Sequence, residues 1–391
     1  MSTFHYSDIF FGSETVNRVS FLRSDSEYIK NSIKHPYSKF IFYISENNHI
    51  VPLISKSSKK LLILEFEKLN DYFQKTLKNW SVNNELKSLK VKDTINVVFL
   101  GLDQLINFKS ISKDSLNNDL DSESKFFSYN GYGGIPYFAI NLKNKEDLKM
   151  ISNDFDQLSL ITNYFKLSNL EASLISYGKM YLEWLDKNNF CPGCGSNVIP
   201  IDAGTRLLCN SENIDERTQK YKCPVKLSTV VNVSFPRTDP VVIAAVTNVK
   251  GDKVLLGLNQ RRVSTKMYSC LAGFMEPSET IEAAVLREVW EETGVKAQRI
   301  HIIMSQPWPF PVNLMIGCIA VVDFNGEDEI INLGNDKELL DARWFEVEEL
   351  SKMINDETYE HPEGIVLPMK DAVAFNLIDM VVNKKYNNFK L

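Results

Sequence analysis

Apolar and polar positions form short alternating runs over the first 165 residues of the chain. Three runs, at residues 40–44, 95–102 and 135–142, are rich in aromatic and β-branched side chains and have the length of strands. The stretch at residues 110–125 lacks periodic apolar positions and is rich in Ser, Asn and Asp, which predicts a mobile surface loop. We therefore predict an N-terminal α+β domain over residues 1–165.

The pattern changes to a helical period in the next segment. In residues 170–185, apolar side chains such as Leu174, Tyr177 and Trp184 recur at helical spacing, which predicts a linker helix leading into a group of cysteines. We assign this helix and the cysteines to residues 166–234.

The last part of the chain alternates strand-like and helix-like patterns. Strands are predicted at residues 239–248 and 253–260, and again in the runs RIHIIMSQ and LMIGCIAVVDF. Helices are predicted at residues 279–292 and 371–382. This alternation predicts an α/β domain over residues 235–391, with mixed strands sandwiched between helices.

Length and charge restrict the class of protein. A chain of 391 residues exceeds one ordinary hydrophobic core, so two or three domains are expected. The net charge of -6 argues against a protein whose main role is to coat nucleic acid, although it leaves room for a local basic patch. The sequence lacks a leader-like N-terminus and an uninterrupted apolar run of about 18 residues, so we expect an intracellular protein with no membrane association.

Four of the six cysteines are grouped in the middle of the chain. Cys191 and Cys194 stand two residues apart in CPGCGSN, and Cys209 and Cys223 follow. A disulfide and a redox CxxC motif are alternatives, but a reducing compartment disfavours the first, and the second wants a preceding βαβ unit. We predict one structural Zn²⁺ per chain, because four thiolates leave no open coordination position for chemistry. The other two, Cys270 and Cys318, lie in apolar surroundings that predict core positions.

The helix predicted at residues 279–292 carries too many carboxylates on one side. At about 100° per residue, Glu288, Glu291 and Glu292 fall on the same side as the apolar Val285 and Val289. Crowding carboxylates beside apolar surface raises the cost of ionising them, and a divalent cation would offset that cost. Hard oxygen ligands without His or Cys predict Mg²⁺ or Mn²⁺. Arg287 can orient one of these carboxylates.

These residues form a pattern that resembles the Nudix box. Gly273 is followed after five residues by Glu279, and after seven more by REVWEETGV. The resemblance implies a Nudix α/β/α sandwich and the hydrolysis of a nucleoside diphosphate linked to another group. It also implies that a loop-helix-loop binds the divalent metal on Glu288, Glu291 and Glu292.

A proline-rich stretch resembles the signature of one branch of that family. SQPWPFPVN, at residues 305–313, contains three prolines around Trp308 and Phe310, which is unusual both for a central strand and for a solvated loop. Its place eleven residues beyond Gly294 is similar to that of the signature in the NADH pyrophosphatase branch of the Nudix family. Asn313 stands where the family pattern has Ser. NRVSFLR at residues 17–23 and the four grouped cysteines also resemble this branch.

The resemblance implies further site residues. Glu338 would be an additional metal ligand outside the box. Substrate contacts are implied for Phe235, Phe274, Glu276, Gln306 and Trp308. Phe235 and Phe274 would flank the nicotinamide, with Phe235 reaching across from the other subunit of a homodimer. The alternative for Trp308 is that its ring fills the domain core.

The resemblance and the chemistry together predict a metal-dependent, homodimeric diphosphatase that cleaves NADH or NAD⁺ to nicotinamide mononucleotide and AMP. Removal of NAD caps from RNA 5′ ends, which breaks the same bond, is an alternative, as is hydrolysis of another nucleoside diphosphate such as ADP-ribose. By resemblance, the segment with the four grouped cysteines is a zinc ribbon. A third hypothesis treats this zinc ribbon as an interaction or nucleic-acid module beside a vestigial catalytic domain, and the intact box argues against it.

The C-terminal residues bear on localisation. Phe389-Lys390-Leu391 shares its last two letters with the S-K-L peroxisomal signal but lacks its small first residue. The chain is similar to yeast-type members of the branch that reside in peroxisomes. We therefore expect recognition by a peroxisomal import receptor, with the cytoplasm as the alternative location.

Overall fold

The computed structural model describes residues 9–13, 15–47, 49–86, 95–104, 126–142, 147, 151, 154–218, 220–227, 236–277, 279–334 and 337–385. The chain forms two compact units, of which the first runs to Arg237 and the second begins at Thr238. The linker helix and the grouped cysteines belong to the first unit. The loop predicted at residues 110–125 lies outside the described residues.

The first unit combines strands with helices. Its strands are β1 (Lys39–Glu46), β2 (His49–Ile54), β3 (Ile63–Glu65), β4 (Asn96–Asp103), β5 (Phe127–Tyr129), β6 (Tyr132–Leu142), β7 (Asp156–Gln157), β8 (Val198–Ile201), β9 (Arg206–Cys209), β10 (Ile214–Asp215) and β11 (Lys220–Tyr221). Its α-helices are α1 (Ser26–Lys34), α2 (Asp71–Leu86), α3 (Ile161–Tyr164), α4 (Asn169–Lys187) and α5 (Pro224–Leu227). Short 3-10 helices cover Ser20–Leu22 and Phe66–Lys68.

The second unit contains the predicted strands and helices. Its strands are β12 (Asp239–Asn248), β13 (Lys253–Asn259), β14 (Leu271–Phe274), β15 (Arg299–Trp308), β16 (Asn313–Val322) and β17 (Leu339–Glu346). Its α-helices are α6 (Ile281–Thr293), α7 (Val347–Asn355) and α8 (Val373–Val382), and a 3-10 helix covers Gln260–Thr265. Among the described helices of both units, none is both long and apolar enough to cross a lipid bilayer.

A mixed sheet forms the centre of the first unit. Its strand order is β4-β6-β1-β2-β7, with β3 beside β1 and β5 beside β6, and β1 runs parallel to β6. Side chains alternate between the two faces, so Phe40 and Phe42 of β1 enter a core that they share with Phe73 of α2. Tyr43 points to the other face and donates a hydrogen bond to the Ile175 carbonyl of α4 at 3.2 Å.

Helix α4 packs on this sheet. It begins with a capping box, in which the Ser168 side chain accepts from the Glu171 backbone and the Glu171 carboxylate accepts from the Ser168 backbone. Gly178 allows the close approach of the sheet, because a Cβ there would lie 2.4 Å from Tyr43 Oη. The predicted linker helix is therefore a packed element of the first unit.

The turn after β8 covers the edge strand β4. The Phe99 amide donates to the Ala203 carbonyl at 3.0 Å. Gly204 has a φ of 83°, and a Cβ there would lie 2.1 Å from the Val97 carbonyl oxygen. Pairing with the turn satisfies edge groups that would otherwise be open to another chain. The cysteine segment is in this way attached to the N-terminal sheet.

The second unit is an α/β/α sandwich, as the alternating pattern and the resemblance predicted. Its sheet has the order β15-β16-β12-β13-β17, with β14 beside β12. Ile243 and Ala245 face a core that includes residues of α8, whereas Val242 and Ala244 face a second core that includes residues of α6. The period of two along β12 thus supplies both cores. Cys270 and Cys318 are buried, which confirms their predicted core positions.

The proline-rich stretch lies in an edge strand and the turn that follows. Strand β15 continues through Pro307 and pairs with β16 as far as Trp308 opposite Asn313. Because β15 is at the edge of the sheet, a proline can occupy it without removing a hydrogen bond from a central ladder. The composition indicated that the stretch is not a central strand, and the structure places Pro307 in an edge strand, which tolerates proline.

Candidate active site

Helix α6 is fixed at both ends by its own sequence. The Thr280 side chain accepts from the Ala283 amide at 3.2 Å, and this caps the N-terminus. Gly294 ends the helix with a φ of 73°, and its amide donates to the Trp290 carbonyl at 2.8 Å. Glycine adopts this left-handed conformation without the steric cost that a Cβ would add. Fixed ends set the direction in which each glutamate of the helix points.

The glutamates lie on and beside the buried side of α6. Val285 and Val289 are buried against the sheet, and Glu292 is only 5% exposed. The side chains of Glu288 and Glu291 are 14% and 39% exposed, so they lead from the core to the surface. This agrees with the shared face that the helical spacing predicted.

Arg287 gathers the carboxylates into one network. Its Nε donates to Glu279 Oε1 at 2.8 Å, and its Nη1 donates to Glu288 Oε1 at 2.7 Å and to Glu291 Oε2 at 2.9 Å. Its Nη2 donates to Glu279 Oε2 at 2.9 Å and to the Phe274 carbonyl at 2.8 Å. One guanidinium therefore links the loop before the helix, the helix and the end of β14.

Burial and charge shift the pKa values of this network in different directions. Hydrogen bonds from Arg287 hold the pKa of Glu279 below its ordinary value. Removal from water raises the pKa of Glu288, and the nearby Glu291 and Glu279 carboxylates raise it further against the opposing effect of Arg287. The hydrogen bond to Glu279 is the main cause that raises the pKa of Arg287. Glu279 is thus bound to the guanidinium of Arg287, whereas ionised Glu288 would be stabilised by another positive charge.

Gly273 leaves the space that the Glu288 carboxylate occupies. A Cβ at position 273 would lie 2.0 Å from Glu288 Cδ and 2.1 Å from each of its oxygens. Because no side chain fits there, the Glu288 carboxylate lies directly over the backbone of β14. Glycine is thus needed at this position of the box because any side chain would overlap the Glu288 carboxylate.

We expect Gly273→Ala to lower turnover by about 100-fold, because the added methyl group must displace Glu288 from the network. The loss of stability should stay within about 1–3 kcal/mol, which is typical of added volume at a packed position. Steady-state kinetics and thermal unfolding of the same preparation measure the two effects. Gly334→Ala is the matched control, since among the described residues its Cβ would meet only the Asn332 side chain. Unchanged turnover in Gly273→Ala would contradict the role given to the Glu288 position.

Three further predicted site residues are exposed. The Phe274 ring is 57% exposed, so one of its faces is available to a ligand. Glu276 is exposed, and its amide donates to Glu279 Oε2 at 2.9 Å. Glu338 is exposed, and its carbonyl accepts from the Gln260 amide at 3.3 Å. Phe235 lies outside the described residues.

Gln306 and Trp308 have different surroundings. Gln306 is 2% exposed, and its amide group donates to the Asp371 carbonyl at 2.8 Å and accepts from the Val373 amide at 2.8 Å. These bonds hold β15 to the start of α8. Trp308 is half-buried and packs edge-on against Phe310 at a ring separation of 5.6 Å. Neither of the two core clusters of this unit includes Trp308.

Glu279 is a site residue that the sequence analysis named as a position of the box without giving it a role. It forms two of the hydrogen bonds of Arg287 and lies just before the helix. Its signal was present in the sequence, because it is a defined position of the box. The shared helical face of Glu288, Glu291 and Glu292 did not indicate it, since in the structure the helix begins only at Ile281, two residues after the predicted start.

The donor chemistry of the helix suits a hard divalent cation. Glu288, Glu291 and Glu292 offer carboxylate oxygens, which Mg²⁺ and Mn²⁺ prefer. Within the described ranges, the four cysteines are the one group of metal-ligating side chains close enough together to hold an ion as they stand. Glu288 and Glu291 instead converge on Arg287.

The four grouped cysteines of the first unit fit a zinc ion. All four Sγ atoms lie within 4.8 Å of one another, with Cys191 to Cys223 at 3.6 Å and Cys194 to Cys209 at 3.5 Å. A tetrahedron of sulfurs about 2.3 Å from a zinc ion has edges of about 3.8 Å, whereas a disulfide would need about 2 Å. The second pair shows no sequence knuckle, and the fold brings it together by placing Cys209 at the end of β9 and Cys223 just before α5.

Comparisons with known proteins agree on the family to which this chain is similar. The model of the NUDIX domain matches residues 237–365. The chain is 39% identical to the NAD-capped RNA hydrolase NPY1 of Saccharomyces cerevisiae over 97% of each protein. It is 29% identical to the NAD-capped RNA hydrolase of Schizosaccharomyces pombe, over 97% of this chain and 94% of that one. It is 30% identical to the NAD-capped RNA hydrolase NUDT12 of Homo sapiens, over 94% of this chain and 72% of that one. The sequence motifs, the sandwich fold and these relatives together show that the chain belongs to the Nudix hydrolases, in their NADH pyrophosphatase branch.

Proposed function

We propose that this protein hydrolyses the diphosphate of NADH and NAD⁺ to nicotinamide mononucleotide, reduced or oxidised, and AMP. The observation that carries the proposal is the network in which Arg287 gathers Glu279, Glu288 and Glu291 beside the exposed ring of Phe274. Acidic ligands for a cation and an aromatic face for a base are what a dinucleotide diphosphate requires.

A bound divalent cation would neutralise the diphosphate and lower the pKa of an attacking water. Glu288, Glu291 and Glu292 would hold it, and Glu338 is proposed as a further ligand. Arg287 orients two of these carboxylates through its Nη1 atom. The exposed Phe274 ring would stack on the nicotinamide, a contact of about 1–3 kcal/mol.

Removal of NAD caps from RNA is the second candidate, because the relatives named above are NAD-capped RNA hydrolases. It breaks the same diphosphate bond, so the same residues would act. The two functions differ in whether an RNA chain continues beyond the adenosine.

The test is a parallel assay of NADH, NAD⁺, ADP-ribose and NAD-capped RNA with Mg²⁺ or Mn²⁺, with products separated by chromatography. We expect nicotinamide mononucleotide and AMP, or RNA with a 5′-monophosphate from the capped substrate. Much faster cleavage of ADP-ribose than of NADH would contradict the proposed substrate class. If nothing were cleaved, the alternative of a zinc-ribbon interaction module would gain support.

We also propose a homodimer in which Phe235 contacts the substrate of the partner subunit, one structural zinc ion per chain, and residence in the peroxisome. Analytical ultracentrifugation tests the homodimer. Mixing a Phe235→Ala chain with a Glu291→Gln chain tests whether one subunit contributes to the site of the other.

The proposed peroxisomal signal, residues 389–391, lies outside the described residues. Microscopy of a chain that lacks these three residues tests whether an import receptor recognises them.

A further inference from the structure

A cavity of about 390 Å³ lies in the first unit, among residues that the proposed hydrolysis does not use. Four segments distant in sequence line it: the 3-10 helix Ser20–Leu22 with the turn after it, helix α4, the turn between β8 and β9 with the start of β9, and Pro236. Its lining includes Ser20, Arg23, Tyr181, Asp202, Thr205 and Arg206. The NRVSFLR stretch, which the box and its chemistry left unexplained, supplies the first part of this lining.

The described hydrogen bonds of Arg23 go to neutral groups. Its Nη1 donates to Tyr181 Oη at 3.4 Å, and its Nη2 donates to Tyr177 Oη. Its Nε is buried and has no hydrogen-bond partner in the described part of the chain. A guanidinium whose Nε is buried, and whose hydrogen bonds to described residues go to phenols, gains strongly from an anion nearby.

Arg206 is the second cation of the cavity, and Asp202 only partly offsets it. Arg206 Nε lies 2.8 Å from Asp202 Oδ2, within ion-pair distance but without the geometry of a hydrogen bond. The side chains of Arg206 and Asp202 are 41% and 26% exposed, so water weakens their attraction. Two guanidiniums against one carboxylate leave the cavity with an excess of positive charge.

The other polar groups supply donors and an aromatic ring. The Thr205 hydroxyl donates to the Asp202 carbonyl at 2.7 Å, which orders the turn. The Tyr181 hydroxyl accepts from Arg23 and keeps its own proton to donate. Ser20 adds a second hydroxyl group. Donors on three segments around one space suit a phosphate, which accepts hydrogen bonds in all directions, and the volume lies within the range of about 300–1,000 Å³ for small-ligand sites.

We propose that this cavity is a phosphate-binding subsite for a nucleotide or for the phosphodiester backbone of RNA. Arg23 and Arg206 supply the charge, the Tyr181 and Ser20 hydroxyls supply neutral donors, and Asp202 limits the affinity. The proposal does not depend on the substrate of the hydrolytic site. It gives the NRVSFLR stretch a role in binding.

The test is calorimetric titration of the zinc-loaded full chain, without added Mg²⁺ or Mn²⁺, with inorganic phosphate, with AMP and with a 5′-phosphorylated RNA of ten nucleotides. We expect Arg206→Gln and Arg23→Gln to weaken binding about tenfold or more, as loss of a charged hydrogen-bond donor does. Asp202→Asn should tighten binding several-fold, an effect of opposite sign that damage to the fold would not produce. Arg299→Gln is the matched control, since Arg299 is an exposed arginine paired with an aspartate in the second unit.

The three probes distinguish the sources of the phosphate. Tighter binding of AMP than of RNA assigns the subsite to a free nucleotide. Tighter binding of RNA, with a salt dependence that Arg206→Gln reduces by about one phosphate contact, assigns it to a nucleic acid chain. The proposal is overturned if none of the probes binds, if Arg299→Gln weakens binding as much as Arg206→Gln, or if Asp202→Asn fails to tighten it.

Discussion

Glu291→Gln should lower kcat for NADH hydrolysis by about 10³-fold, while the free energy of unfolding changes by less than about 1 kcal/mol. Loss of one ligand charge removes several kcal/mol of cation-dependent stabilisation of the transition state, and each 1.4 kcal/mol is a factor of about ten in rate. The fold should be nearly unaffected, because the Glu291 side chain is 39% exposed and such ion pairs contribute about 0–1 kcal/mol. Turnover at saturating Mg²⁺ and urea-induced unfolding are the measurements.

Glu282→Gln is the matched control for this prediction. Glu282 is an exposed glutamate in the first turn of the same helix. The described hydrogen bonds and ion pairs of Arg287 do not include it. It should keep nearly full activity, with a small loss of stability from the helix dipole of about 0.3–1 kcal/mol. Full activity in Glu291→Gln would remove Glu291 from the proposed metal site.

Cys191→Ser should abolish the zinc content, expected at one ion per chain, and unfold the cysteine segment. Structural zinc binding in small thiolate sites contributes about 10 kcal/mol or more, which exceeds what the short strands β8 to β11 can supply. Because the turn at Ala203 and Gly204 covers β4, its loss should also expose an edge strand and increase aggregation. Elemental analysis, thermal unfolding and light scattering measure the three consequences.

Cys318→Ser provides the comparison for the loss of zinc. It makes the same replacement at a fully buried cysteine that lies outside the zinc group. It should cost stability but keep one zinc ion per chain. A full zinc content in Cys191→Ser would exclude Cys191 as a ligand.

The sequence pattern predicted the bounds of strands and helices more closely than it predicted where each of them lies in the fold. The strand pair at residues 239–248 and 253–260 is found at Asp239–Asn248 and Lys253–Asn259, and α6 begins two residues after the predicted start. Side-chain period and caps are local properties, so the sequence displays them directly. The proline-rich stretch shows the limit, because whether a strand tolerates Pro307 depends on its being at the edge of the sheet.

Some features of the candidate site could likewise be predicted from the sequence, and others could not. The glutamates of α6 could be predicted because they are three and four residues apart on one helix. The surroundings of Gln306 could not, since its amide bonds to the backbone at Asp371 and Val373, more than sixty residues away. Sequence distance carries no information about such contacts unless a motif spans them.

By itself, the sequence determined the Nudix box, the direction of its glutamates, the first cysteine pair and the core positions of Cys270 and Cys318, since each depends on spacing over a few turns or on local composition. Tertiary structure alone decided how Arg287 joins Glu279 to Glu288 over Gly273, how Cys209 meets Cys223, and how four distant segments line the cavity at Arg23. The reason is physical: a period fixes directions within one element, whereas the packing of the whole chain fixes which elements meet.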